Sequence, residues 1–187
     1  GFESRNGGFT IHHVLTVFED PVLREGFLNA LGIAVGTTIV CLIIALPLAT
    51  LAAKYTFPFK GVFSAMVLVP LILPPFVGAI GLHHLLGKYG AVNTLLVDIG
   101  IISEGYDFIG NGGFWAIIFI EALHLYPILY LNATAALANL DPALEEAAEN
   151  LGASSWQRFR QIVLPLIRPG LFAGATIVFI WLFTELG

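Results

Sequence analysis

Long stretches of the chain carry no charge. Every residue between Glu25 and Lys54 is uncharged, and so is every residue between Lys60 and Lys88. About 20 apolar residues are enough to cross the hydrocarbon core of a bilayer. The pattern therefore predicts spans over 27–53, 61–86, 114–138 and 171–187, the third carrying Glu121 and the fourth reaching Glu185. Each is expected to be a helix, because an open strand leaves its backbone unsatisfied in lipid. The fold class is all-α, a polytopic helical membrane protein. Residues 1–26 are expected to be an external segment before the first span, and 139–169 a loop between the third and fourth.

The second span is irregular. Pro70, Pro74 and Pro75 fall in its middle, in LVPLILPP. Each removes a backbone donor and crowds the preceding turn, which predicts a kink or a broken helix. Irregular backbone at membrane depth is tolerated where it faces protein or water, so Pro74 and Pro75 are candidates for a wall of a translocation path; a kink with a packing role alone is the other reading. Between the second and third spans lies a glycine-rich stretch, 87–113, in which Ala91 to Ile102 has the length of a short interfacial helix.

The 139–169 loop is patterned differently. Asp141-Pro142 is a helix start, with Asp as the cap and Pro at the first helical position. Leu144, Ala147, Ala148 and Leu151 then recur at i, i+3, i+4 and i+7, one apolar stripe, with Glu145, Glu146, Glu149 and Asn150 covering the rest. Gly152 sits where a helix turns off through a left-handed residue. Ser154 and Gln157 form a capping box for a second short helix, lined on one side by Trp156, Phe159 and Val163 and expected to stop at Pro165. Neither helix can cross a membrane. The bilayer surface, the ends of the spans or a partner protein could cover their apolar faces, a partner groove being read by this spacing of anchors.

Composition agrees with the membrane reading. Apolar residues make up 57% of the chain, charged residues 11%, and mean hydropathy is +0.87. A soluble domain has roughly 45–50% and about 25%. A net charge of −5 excludes the basic face that a nucleic-acid partner needs. Cys41 is the only cysteine, so no internal disulfide forms, and its apolar setting predicts an inert buried thiol. Gly1 to Arg24 lacks the basic-then-apolar order of a signal peptide. The chain has no starting Met and ends within an apolar run at Gly187, so both ends are expected to be cuts in a longer protein. Orientation follows the lysines and arginines. Lys54, Lys60, Arg158, Arg160 and Arg168 lie on one side, against Arg5, Arg24 and Lys88, which acids dilute, on the other. This bias places 54–60 and 139–169 in the cytoplasm.

Glu146-Ala147-Ala148, three residues, Gly152, nine residues, Ile162, one residue, and Leu164-Pro165 resemble the EAA loop of permeases of type I ATP-binding-cassette (ABC) importers, the binding-protein-dependent inner-membrane component family. The resemblance implies that 27–187 is an incomplete copy of that family's membrane domain. It implies coupling to a cytoplasmic ATPase through Glu146, Ala147, Ala148, Gly152, Ile162, Leu164 and Pro165. It further implies a second permease half, in the same or another chain, and an extracytoplasmic substrate-binding protein. The chain has no phosphate loop of the Gly-x4-Gly-Lys-Ser/Thr kind. The resemblance thus implies a plasma-membrane permease that is not an enzyme and binds no cofactor, with ATP used by the partner subunit. LVPLILPPFVGAIGL, GKYGAVNTLL and FTELG look like the iron(III), thiamine, phosphonate and polyamine group, with iron(III) the first expectation for cargo.

Glu121 and His124 lie three apart in the third span. An ionised Glu at the bilayer centre costs at least about 2.5–3.5 kcal/mol, so it should face protein or water. Either a translocation path or a satisfied structural group fits. Asn132-Ala133-Thr134 matches a glycosylation acceptor, but lies within a span. His12-His13 and His83-His84 have no supporting acid or cysteine cluster, and no metal site is expected from them. Gly32-x3-Gly36 and Gly170-x3-Gly174 are candidates for close helix contacts. Among rivals, an intramembrane metalloprotease would need His-Glu-x-x-His, which is absent. A serine enzyme has only Ser64 and the span histidines to draw on. An ion-coupled secondary transporter would need intramembrane acids and inverted repeats; no repeat is visible. Neither rival needs two capped helices at the EAA spacing.

Overall fold

The computed structural model describes residues 20–72 and 75–186. All regular structure among them is helical: α1 (Pro21–Lys54), α2 (Lys60–Ile72), α3 (Pro75–Leu86), α4 (Ala91–Asp98), α5 (Gly113–Ala138), α6 (Pro142–Asn150), α7 (Ser155–Arg158), a wide π turn (Phe159–Val163) and α8 (Leu164–Leu186). The stretches Pro21–Lys54, Gly113–Ala138 and Ser155–Glu185 are long and apolar enough to cross a membrane.

Two expectations are corrected, the end of the short helix after Lys88 and the stop at Pro165. The first helix contains the expected 27–53 span and begins at Pro21, because Asp20 accepts the Val22 amide at 2.8 Å and Pro21 occupies the first turn, where its missing N–H costs nothing. Within the second expected span the described helices are α2, of 13 residues, and α3, of 12; residues 73 and 74 between them lie outside the described residues. The short helix after Lys88 ends at Asp98, not Ile102. Pro165 does not stop the second short helix, which continues through the π turn into α8 and past Pro169. A proline ring in a helix collides with the carbonyl four residues back. The wide turn, where the Leu164 amide reaches back to the Phe159 carbonyl, lies immediately before Pro165 and relaxes that crowding.

α5 is the centre of the bundle. α1 lies parallel to it through a stripe of small residues: Ala30, Ala34, Thr37, Cys41, Ala45 and Ala49 are all buried. Gly32 sits against Phe114 and Gly36 against Ile118. Thr37 Oγ1 donates to the Ile118 carbonyl at 3.5 Å, and Cys41 Sγ to the Ala122 carbonyl at 3.6 Å. α8 runs antiparallel, with Gly170 on Ala136 and Gly174 on Asn132 and Leu129. Small residues let backbones approach, which is how helices gain dispersion contact where lipid removes the hydrophobic driving force. Both glycine pairs thus face the same helix. The opposite face of α1 presents Val35, Ile39 and Ile43 to the surroundings, as lipid or further helices allow.

Candidate functional site

The capped loop forms as two helices on a tight corner. Asp141 Oδ1 accepts the Ala143 amide at 2.9 Å and Pro142 fills the first position of α6. At its other end Gly152 takes φ +83°. Its amide reaches the Glu149 carbonyl at 2.8 Å, while the Ala153 amide reaches Ala148 at 3.0 Å. This paired bonding is the Schellman stop, and its left-handed residue favours glycine. Ser154 then accepts the Gln157 amide at 3.3 Å, and Gln157 Oε1 accepts the Ser154 amide at 2.8 Å. The corner is thus closed by backbone bonds at the end of α6 and by side chains at the start of α7.

The apolar stripe of α6 is largely uncovered by the other described residues. Leu151 is 89% exposed and Leu144 46%; Ala147 is exposed and Ala148 half-buried. Trp156, 66% exposed, stacks on Phe159 with ring centroids 5.8 Å apart. Exposure then falls through half-buried Phe159 to fully buried Val163 and Ile167. The ends of the spans therefore do not cover α6.

Glu146 is exposed and makes no ion pair among the described residues. Its neighbours do: Lys54 Nζ lies 2.6 and 2.5 Å from Glu145 Oε1 and Oε2, and Arg158 Nη1 pairs with Glu149. These two acids read from sequence as a solvated face. The opposite charges ninety-one and nine residues away are what distinguish them, and only the Glu149–Arg158 separation is short enough to suspect in advance. The Lys54–Glu145 contact also puts the end of α1 and the 139–154 corner at the same end of the bundle. Glu146, Ala147, Ala148 and Gly152 thus lie on α6 and its stop, while Ile162 lies in the π turn and half-buried Leu164 and Pro165 in the first turn of α8.

The other candidates scatter. Glu121 and His124 are half-buried on α5, and the Glu185 carboxylate of α8 is within electrostatic reach of Glu121. The register set by Gly170–Ala136 and Gly174–Asn132 brings Glu185 and Glu121 to one level of the antiparallel pair. Trp181 Nε1 donates to Glu185 Oε2 at 2.9 Å. Both residues, with Thr176, Ile177, Ile180 and Thr184, line an open groove of about 580 Å³. Pro75 begins α3; Pro74 and His12-His13 lie outside the described residues. The His83 and His84 rings stand 6.4 Å apart and perpendicular. Ser64 is met by the Tyr130 hydroxyl at 3.4 Å. Asn132 is half-buried and packs against Gly174 within α5. Sequence reasoning passed over Asn93, only 1% exposed. Its Nδ2 donates to the Gly87 and Tyr106 carbonyls at 2.8 and 2.6 Å, and its Oδ1 accepts the Tyr106 amide at 2.9 Å, fastening the glycine-rich loop.

Residues 45–186 match the family described as "Binding-protein-dependent transport system inner membrane component". The chain is 32% identical over 169 residues to the spermidine/putrescine transport system permease protein PotB of Haemophilus influenzae, covering 90% of this chain and 58% of the relative. It is 31% identical over 150 residues to the molybdenum transport system permease protein ModB of the same organism, covering 80% and 63%. It thus spans about three-fifths of these relatives' length. In fold it is similar to a chain of a bacterial alginate ABC transporter crystallised with an alginate pentasaccharide-bound periplasmic protein, at TM-score 0.70 and 22% identity, over 89% of this chain and 58% of that one. The chain belongs to this inner-membrane component family.

Proposed function

We propose that this chain is the membrane-spanning part of an ABC importer permease, driven by a separate cytoplasmic ATPase that docks on α6. The observation that carries the reading is the exposed apolar stripe of α6, with Leu144 46% exposed on the nine-residue helix and Leu151 89% exposed at its C-cap. A helix that short is not stable alone. Its caps and ion pairs hold it in place while its stripe stays free for a groove. Ala147 and Ala148 permit close approach, Glu146 offers an unpaired acceptor to a basic partner, and Gly152 sets the corner. Ile162, Leu164 and Pro165 seat the second arm on the last span. Closure of an ATPase dimer would move α6, and with it the α1–α5–α8 bundle, between inward- and outward-facing arrangements. A second permease half and an extracytoplasmic binding protein complete such a machine.

For cargo, the reading moves to a cation. Glu121 and Glu185 at one level, with Trp181 lining the same groove as Glu185, suit an amine through ion pairing and cation–π contact. A relative named for spermidine and putrescine supports polyamine; neither relative cited names iron, the first expectation from sequence. Glu121, His124, Pro74 and Pro75 are the proposed path.

The test is co-purification of the full-length permease with the ATPase encoded beside it. Wild type should retain the ATPase and Glu146→Lys should release it. A wild type that retains none removes the coupling reading.

A further inference from the structure

Glu145 and Glu149 are four residues apart on α6, so both carboxylates leave the helix on one side. Glu146, one residue along, is turned about 100° away. On the shared side Glu145 is gripped by Lys54, the last residue of α1, and Glu149 by Arg158, the last residue of α7. The Lys54 and Glu145 side chains are only 28% and 27% exposed. The chain joins α6 to α5 through 139–141 alone, a three-residue connection. A helix held at such a hinge swings when pushed, and the force is lost in bending the turn. α1 has no chain connection to α6 at all.

We propose that the Lys54–Glu145 pair is a transmission strut. It braces α6 against the end of α1, so that force on α6 moves α1 and α5 together. Glu149–Arg158 braces the same face against the start of the last span. The proposal rests on the coupling reading above and assigns Lys54 and Glu145 a positioning role, distinct from contact with the ATPase. Both Glu145 oxygens lie on the one Lys54 ammonium, and a charge-assisted contact of this kind between partly covered side chains resists separation of the two helix ends.

The experiment uses the full-length permease with its ATPase in proteoliposomes. A bimane fluorophore on Ile43→Cys, a position 66% exposed on α1, reports movement of that helix when ATP is added with vanadate. In the Lys54→Gln variant the ATPase should stay bound and hydrolyse ATP, while the bimane response falls at least threefold. Lys54→Arg should keep the response within twofold of the Lys54 protein. Because Lys54 also contributes to orientation, the exchange Lys54→Glu with Glu145→Lys decides the matter independently: it should recover most of the response that either single change removes. A Lys54→Gln response within twofold, an exchange no better than its single changes, or an α1 that does not respond in the parent protein would each overturn the strut. If the parent protein retains no ATPase, the coupling reading itself fails, an outcome distinct from these.

Discussion

Gly36 and Ile118 meet with no space for a side chain between them. A Cβ at Gly36 would fall 2.6 Å from Ile118 Cδ1, and Ile118 is 1% exposed, so it has little room to turn away. Gly36→Leu is expected to force α1 off α5 and destabilise the protein by about 1–3 kcal/mol or more, the usual cost of overpacking. Gly36→Ala should cost less, since one methyl can be met by a small rotation of the isoleucine. Thermal unfolding in detergent, followed by size-exclusion chromatography, checks the order: equal midpoints for wild type and Gly36→Leu would mean the contact is not held.

Gly152 needs glycine for a different reason. Nothing lies within 4 Å of the position a Cβ would take, but φ is +83°. The cost of Gly152→Ala is therefore backbone strain, about 1–2 kcal/mol, and Gly152→Asn should cost less because Asn enters this region more readily. ATPase retention should rank glycine above asparagine above alanine. Gly152→Trp adds bulk on the side proposed for the partner and should abolish transport with membrane insertion intact. Equal retention by asparagine and alanine would show that the corner's geometry is not what matters.

Asn93 fastens the glycine-rich loop with three hydrogen bonds, and replacing it leaves the Gly87 and Tyr106 carbonyls and the Tyr106 amide without it. Asn93→Leu is expected to open 87–107, at about 1–3 kcal/mol for buried groups left unpaired. Asn93→Asp should be as damaging, since both donors go. Hydrogen exchange at Tyr106 is the readout; unchanged protection in Asn93→Leu would contradict the assigned bonds.

In the proposed path, Glu121→Gln and Glu185→Gln remove charge and keep shape. Each should lower uptake of radiolabelled spermidine by tenfold or more while the ATPase remains bound, because a cation loses its counter-charge where water is scarce. Uptake unchanged in both variants would place cargo elsewhere.

The sequence by itself determined what depends on neighbours along the chain. Runs without charge located most of the membrane helices, and Asp141-Pro142, Gly152 and Ser154 with Gln157 specified the corner, because caps and stops close bonds within three to five residues. It also flagged Gly32, Gly36, Gly170 and Gly174 as contacts. It could not say with what, since a helix apolar on every side carries no amphipathic period to mark its protein-facing stripe. The tertiary structure decided that both glycine pairs face α5. It also decided that Glu145 and Glu149, not Glu146, are tied down, that Asn93 holds the glycine-rich loop, and that the helix passes Pro165 without stopping. Each of these turns on groups distant in sequence or on a local widening of the helix, and long-range register is set only when the faces pack.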